Sequence, residues 1–316
     1  MKRFLFALLA LCLTLAAAAA DTAWEEAPVV LHTASGDLHG TLMLPSAQQG
    51  KMPVALLIAG SGPTDRDGNT TVLPGKNNSL RYLAQGLAEK GIASLRYDKR
   101  GIAASKEAMK SEADLRFEHY IADARGWLEQ LQKDARFSGV YVIGHSEGAL
   151  IGLNIAAAAK GYVSISGAGF PADDVIRKQL AAQPPAVQDM VFPVLDSLKA
   201  GKEVPDVDPQ LGALLRPSVQ AYLISWFRHD PRTLVAALRV PVLLVQGDND
   251  LQVDESNSSA LKAAQPKAQL VLVPQMNHVL KLVPAGDQPA NIKAYTDPKL
   301  PVAPKAIEAI ASFIKG

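Results

Sequence analysis

The chain has 316 residues, of which 48% are hydrophobic and 20% charged, and its formal net charge is +1. The apolar content is too high for a disordered chain, and 23 glycines with 21 prolines are too few for a fibrous one. A nearly neutral chain offers no basic face to phosphates, so a nucleic-acid partner is not expected.

The first twenty residues have the pattern of a secretory signal peptide. Lys2 and Arg3 precede an apolar stretch that begins at Phe4, and three alanines end at Ala20 before the charged Asp21. We expect cleavage after Ala20, a periplasmic or secreted protein, and no stable membrane insertion once the signal is removed. A membrane anchor is the alternative, but the stretch is short for a span and lacks a cationic flank after it.

The only cysteine, Cys12, lies within this predicted signal peptide. A lipid anchor there is not expected, because Leu11 stands where a lipoprotein signal has a small residue. The mature chain would therefore have no disulfide, no thiol nucleophile and no cysteine-bound metal.

Strands and helices alternate along the rest of the chain. Apolar runs predict strands at 29–33, 38–44, 53–59, 92–97, 140–143 and 162–166, and helical spacing predicts helices at 78–90, 113–133 and 149–159. Residues 171–239 break the alternation with helical patterns and prolines. It resumes with strands at 241–246 and 269–273 and helices at 256–264 and 304–315, and five prolines within 284–304 predict an ordered surface loop.

This alternation predicts an α/β fold with an eight-stranded, mostly parallel sheet covered by helices on both faces. Residues 21–170 and 240–316 would form the two parts of the core. Residues 171–239 would form a small helical cap over the carboxyl ends of the strands.

The sharpest local motif is Gly144-His145-Ser146-Glu147-Gly148, which stands between a predicted strand and a predicted helix. A G-x-S-x-G sequence at such a corner is typical of a nucleophile elbow, where glycines permit a tight turn and the serine takes a strained backbone conformation. The turn lifts the serine hydroxyl out of the sheet, and the first N–H groups of the helix face the reacting centre. Ser146 is therefore the candidate nucleophile. An ordinary glycine-rich turn is the alternative.

A serine nucleophile needs a base, and the base needs an orienting carboxylate. Among six histidines, His278 follows the last predicted strand, where the chain order Ser, Asp, His requires the base. The other five lie in strands, on a helix, within the elbow or in the insertion: His32, His39, His119, His145 and His229. Asp248 and Asp250 both follow the strand at 241–246, and either could instead be a turn residue.

In this order the motifs resemble the α/β-hydrolase superfamily over essentially the whole chain after the signal peptide. The G-S-G-P-x-D-R-D loop at 60–67 and the H-S-E-G elbow at 145–148 are similar to those of a subgroup of bacterial carboxylesterases with serine aminopeptidase-like relatives. The segment Tyr97-Asp98-Lys99-Arg100-Gly101 is similar to the D-x-R-G loop of that subgroup. The resemblance implies an esterase-type serine hydrolase with a small helical cap. Matching Gly247-x-x-Asp250-x-x-Val253 to the superfamily pattern selects Asp250 as the acid.

By position, the resemblance also implies an oxyanion hole formed by the backbone N–H groups of Ser61 and Glu147. Many relatives have His-Gly just before this point, whereas this chain has Ala59-Gly60. The hole uses backbone N–H groups, so the substitution need not disable it.

Residues 65–69 carry alternate oxygen side chains and a glycine, which also suit calcium. An EF-hand loop needs a glutamate at its twelfth position, which is Lys76 here, so an ion-pair and turn network bracing the loop is the favoured interpretation. Gly60-x-Gly62 lacks the third glycine of a dinucleotide fingerprint. No metal and no cofactor are expected.

These residues predict a serine hydrolase that cleaves small-molecule carboxylic esters of short to medium acyl chain through an acyl-enzyme. Amide cleavage is an alternative because Glu147 could receive a substrate ammonium, thioester cleavage is another, and a non-catalytic binding protein is the alternative of another class. Some apolar cap residues would line the substrate pocket that faces Ser146. The candidates are Met190, Phe192, Leu195, Leu211, Leu214, Tyr222, Leu223, Trp226 and Phe227.

Overall fold

A computed structural model describes residues 23–46 and 50–316 of the chain. The predicted signal peptide, its cleavage site and Cys12 lie outside the described residues. No helix within the described ranges is long and apolar enough to cross a membrane.

One sheet of eight strands runs through the described residues, in the order β1-β2-β4-β3-β5-β6-β7-β8. Strand β2 runs antiparallel to both of its neighbours, β1 and β4, and all pairs from β4 to β8 are parallel. The strands are β1 Trp24–Thr33, β2 Gly36–Pro45, β3 Met52–Ile58, β4 Ala93–Tyr97, β5 Phe137–His145, β6 Gly161–Ile165, β7 Val242–Gly247 and β8 Gln269–Val273. The predicted eight-stranded, mostly parallel sheet is confirmed.

Helices cover both faces of this sheet. They are α1 Ser79–Glu89, α2 Phe117–Lys133, α3 Glu147–Leu153, α4 Ala172–Leu180, α5 Pro185–Lys199, α6 Gly212–Leu215, α7 Pro217–Trp226, α8 Pro231–Ala237, α9 Glu255–Ala264, α10 Gln288–Lys293 and α11 Pro304–Lys315. Alternate side chains of β3 enter different layers: Val54 and Leu56 pack with α2 and α3, whereas Ala55 and Leu57 pack with α1 and α11. This two-sided burial explains the continuous apolar runs of the parallel strands.

The segment between β6 and β7 contains α4 to α8 and has an apolar cluster of its own, with Leu195, Leu198 and Leu215 at its centre. We call α4 to α7 the cap. Helix α7 joins the cap to the core, because the Ser225 hydroxyl accepts the N–H of Phe117 at the start of α2 (2.8 Å).

Several predicted elements have different bounds in the structure. Strand β1 begins at Trp24 rather than at residue 29, and the helix expected over 149–159 is α3 Glu147–Leu153 followed by a 3-10 turn at Ala156–Ala158. The helix expected over 113–133 begins only at Phe117, because Leu115 and Arg116 are extended after a 3-10 turn at Glu112–Asp114. The proline-rich loop at 284–304 contains α10, which begins after Asp287, whose carboxylate accepts the N–H of Ala290 (2.9 Å). A proline in the first turn is compatible with this helix, since that N–H has no helical partner.

Candidate active site

The predicted nucleophile elbow lies at the carboxyl end of β5, where the chain turns into α3. Ser146 has a φ of 54° and a ψ of −121°, a conformation that side-chain-bearing residues rarely adopt. A Cβ on Gly144 would stand 2.1 Å from the carbonyl oxygen of Gly148, and one on Gly148 would stand 2.2 Å from that of Ile58. Both positions therefore require glycine, as the motif predicted.

Asp250 and His278 are brought together across the carboxyl ends of β7 and β8. The Asp250 Oδ2 and His278 Nδ1 atoms are 2.8 Å apart, and both side chains are almost fully buried. The other carboxylate oxygen of Asp250 accepts the N–H groups of Gln252 and Val253, each at 2.9 Å. Burial acts to raise the pKa of Asp250, but the His278 charge and these hydrogen bonds outweigh it and hold that pKa below its ordinary value. The carboxylate is thus ionised and fixed toward the imidazole.

Asp248, the other candidate acid, faces elsewhere. Its Oδ1 accepts the N–H of Gln275 at 2.6 Å, which braces the turn after β8. The two aspartates therefore have separate partners, one an imidazole and one a backbone amide.

His145 links the elbow to the loop that carries His278. Its Nε2 lies 2.7 Å from the carbonyl oxygen of His278, and the two ring centroids are 4.9 Å apart. Burial and the neighbouring His278 charge lower the pKa of His145 to about 4, so its ring is neutral at pH 7. Since a carbonyl only accepts, the proton of the neutral ring lies on Nε2. No role of His145 was predicted from the sequence.

Ser61 and Glu147, the predicted oxyanion-hole residues, line the same cavity as Ser146. We call residues 60–69 the oxyanion loop. It approaches the elbow so closely that a Cβ on Gly60 would be 3.2 Å from that of Ser146. Glycine at this position thus permits the close approach of the loop to Ser146.

Ion pairs and turns brace the oxyanion loop. The guanidinium of Arg66 donates to Asp98 (2.6 Å), and Asp67 accepts from the buried Arg96 (2.7 Å). Asp65 accepts the backbone N–H groups of Asp67 and Asn69, each at 2.9 Å. The carboxylates of Asp65 and Asp67 therefore each have hydrogen-bond donors within the protein. Across the described part of the chain, no three His, Cys, Asp or Glu side chains are grouped as metal ligands would be.

A buried polar cluster lies beneath the elbow and was not predicted. The Lys99 ammonium donates to Glu147 Oε1 (2.9 Å) and to the carbonyl oxygen of Gly60 (2.6 Å), and the Tyr222 hydroxyl donates to Glu147 Oε2 (2.7 Å). Lys99 is the second residue after β4, so a charged residue at the carboxyl end of a buried strand was the available signal. Its partners lie 39 and 48 residues away along the chain.

The cavity in front of Ser146 measures about 480 Å³ and is mainly apolar. This volume lies within the range of small-molecule sites. Four of the predicted cap residues line it, namely Leu214, Tyr222, Leu223 and Trp226. The other five pack in the cap's own apolar cluster: Met190, Phe192, Leu195, Leu211 and Phe227.

The chain matches the Alpha/beta hydrolase family over residues 56–294 and belongs to that family. Among curated proteins it is similar to Esterase EstD of Thermotoga maritima, with 30% identity over 252 residues, which cover 77% of this chain. The matched region spans 58% of that relative, a little over half of its length.

Two solved structures of low sequence identity share the fold. Est1E from Butyrivibrio proteoclasticus with ferulic acid bound has a TM-score of 0.60 and 18% identity, with 91% of this chain and 100% of that chain covered. The α/β hydrolase GrgF from Penicillium sp. has a TM-score of 0.59 and 17% identity, with coverages of 92% and 98%.

Proposed function

We propose that this protein is a serine carboxylesterase of the family. The observation that carries the proposal is the link from the buried Asp250–His278 pair through His145 to the strained corner that holds Ser146. The relative EstD, whose name describes it as an esterase, adds support. A binding protein without catalysis would have no need of a buried carboxylate–imidazole pair beside a strained serine.

In the proposed reaction, Ser146 Oγ attacks the ester carbonyl while its proton passes to His278 Nε2. The backbone N–H groups of Ser61 and Glu147 stabilise the oxyanion that forms. The C–O bond to the alcohol then breaks, the imidazolium protonates the leaving alcohol, and the acyl group stays on Ser146. Water, deprotonated by His278, hydrolyses this acyl-enzyme and releases the carboxylic acid. Asp250 holds the imidazole in the required tautomer throughout.

The cavity favours esters over substrates with a free ammonium. Glu147 is the acidic side chain nearest Ser146 in sequence, and both its carboxylate oxygens are already bonded, one to Lys99 and one to Tyr222. A substrate ammonium would thus meet a carboxylate whose charge is compensated. Apolar cap residues and a volume of about 480 Å³ suit acyl chains of short to medium length.

A panel of p-nitrophenyl esters from acetate to palmitate, run beside aminoacyl-anilides, tests the proposal. We expect the highest kcat/KM near butyrate, with palmitate at least about tenfold lower because its chain exceeds the cavity. Ser146→Ala should reduce turnover about a thousandfold or more and abolish labelling by a fluorophosphonate. Ser218→Ala, a serine of α7 outside the cavity lining, should keep its labelling. Faster cleavage of aminoacyl-anilides than of butyrate would contradict the ester assignment.

We also propose that the protein is exported and processed after Ala20. The support is the basic, apolar and small-residue pattern of the first twenty residues. N-terminal sequencing of the protein from periplasm or culture fluid should begin at Asp21. A retained Met1 or a lipid on Cys12 would show that the segment is not a cleaved signal peptide.

A further inference from the structure

The Lys99 ammonium lies beneath the proposed oxyanion hole with only 1% of its side chain exposed. It donates to the carbonyl oxygen of Gly60 and to a carboxylate oxygen of Glu147, and it lies 4.9 Å from the centre of the Tyr120 ring. An ammonium has three N–H donors. Two of them form these hydrogen bonds, and the third contact is a cation–π interaction with the ring. Lys99 is thus held by protein groups, and it is also part of the wall of the cavity in front of Ser146.

Gly60 is bonded to Lys99 through the same peptide unit that supplies one proposed oxyanion donor. The carbonyl of Gly60 and the N–H of Ser61 belong to one planar amide, and no cis peptide bond occurs among the described residues. In a trans amide these two groups point in opposite directions. A hydrogen bond that fixes the Gly60 oxygen therefore also fixes the direction of the Ser61 N–H, and it polarises that N–H.

This amide needs an external restraint. Ser61 stands between Gly60 and Gly62, and Gly62 has a φ of 68°, a region open mainly to glycine. The Gly60–Ser61 amide rotates about ψ of Gly60 and φ of Ser61, and Gly60 has no side chain to oppose that rotation. The Lys99 contact at 2.6 Å supplies that restraint.

The second proposed donor is connected to the same ammonium. Glu147 begins α3, and its backbone N–H is the other oxyanion donor in the proposed reaction. Its side chain is buried and held by Lys99 on one oxygen and by Tyr222 on the other. One lysine therefore links the two residues whose N–H groups must converge on a single oxygen atom.

We infer that Lys99 is a positioning residue that sets the geometry of the oxyanion hole. It does so by holding the Gly60–Ser61 amide and the start of α3 at a fixed separation. The inference rests on the proposed function, and it assigns a role in transition-state stabilisation that a buried ion pair serving only the fold would not have.

Lys99→Met tests the inference, because methionine retains an apolar stem and lacks the ammonium. We expect kcat for a p-nitrophenyl ester to fall about ten- to a hundredfold with KM within about threefold, since a weakened oxyanion donor acts in the transition state alone. The single change leaves Glu147 buried without its partner, which lowers stability. The double variant Lys99→Met/Glu147→Gln removes both charges and should regain most of the lost melting temperature while kcat stays low.

Lys281 offers a matched control. It is also a fully buried lysine that donates to a backbone carbonyl, that of Leu300 at 2.6 Å, and its ammonium lies 4.6 Å from the centre of a tyrosine ring. Lys281→Met leaves no buried carboxylate unpaired, so it should cost less stability than Lys99→Met and leave kcat within about threefold of the wild-type value.

The rate of labelling by a fluorophosphonate separates this inference from the proposed function. Attack on phosphorus also develops charge on an oxygen in the hole, so Lys99→Met should slow labelling by a factor similar to its effect on kcat. If Lys99→Met is labelled more slowly than the wild type and the wild type hydrolyses no carboxylic ester, the esterase proposal is wrong and the inference stands. A stable double variant with the kcat and the labelling rate of the wild type would overturn the inference and leave the esterase proposal intact. A wild-type protein that neither labels nor hydrolyses esters would overturn both.

Discussion

At the residue scale, the two aspartates after β7 differ in what their carboxylates contact. The chain turns between them, so Asp250 reaches back across the carboxyl edge of the sheet to His278 Nδ1. Asp248 instead accepts a backbone N–H from Gln275. Orientation of an imidazole is the task proposed for Asp250, whereas the contact of Asp248 closes a turn.

Exchange of each aspartate for asparagine should separate these tasks. In Asp250→Asn an amide NH₂ faces His278 Nδ1, which places the ring proton on Nε2 and leaves no acceptor for the Ser146 proton. Turnover should fall about ten-thousandfold, as loss of an orienting carboxylate does in serine hydrolases. Asp248→Asn should change turnover less than about fivefold and lower the melting temperature by a few degrees through a weaker hydrogen bond. Steady-state kinetics and thermal melts of both variants measure this, and the reverse order of activities would identify Asp248 as the acid.

At the element scale, periodicity and turn chemistry predicted the sheet and most helices. The strand Gln269–Val273 and the helix Pro304–Lys315 coincide with their predicted bounds, because the apolar pattern and flanking prolines are local signals. The start of α2 was wrong for a reason outside local sequence. Glu112 is paired with Arg216 in the cap, and Ser225 of the cap accepts the first N–H of α2. Contacts with residues about a hundred positions away set that boundary.

The distinction between local sequence signals and long-range contacts also applies to the candidate site. Ser146, Asp250 and His278 could be selected because each follows a predicted strand in an order that the resemblance supplies. Lys99 and Tyr222 could not be selected in this way, because their hydrogen bonds to Glu147 depend on how β4 and the cap are placed around α3. Sequence patterns thus located the residues at strand ends, whereas the polar contacts that hold them needed the tertiary structure.

At the scale of the whole molecule, ion pairs connect the carboxyl edge of the sheet to the elements around the proposed site. Asp98 and Lys99 extend from the end of β4 to Arg66 in the oxyanion loop and to Glu147 at the elbow, and all four side chains are at least four-fifths buried. Buried charges are tolerated only when paired and hydrogen-bonded. The network therefore favours one arrangement of loop, elbow and strand over alternatives that would break a buried pair.

Burial of His145 in the same region predicts how stability depends on pH. Its pKa is lowered to about 4 in the folded protein, against about 6.5 for an exposed histidine, so between these values the unfolded chain binds a proton that the folded chain does not. The free energy of unfolding should therefore decrease as the pH falls from 6.5 to 4, by about 3 kcal/mol from this residue alone.

The variant His145→Gln isolates this contribution, because glutamine retains an N–H donor for the His278 carbonyl and does not titrate. Burial also lowers the pKa values of His119 and His229, so the wild-type slope includes their effects, and the difference between the two proteins reports His145. Asp250, with its pKa held below the ordinary value, should lose its contribution only at still lower pH. Urea unfolding at pH 7, 6, 5 and 4.5 should show a smaller pH slope in His145→Gln than in the wild type. Equal slopes would mean that His145 is protonated in the folded protein. The ring that links the elbow to the His278 loop would then not be neutral.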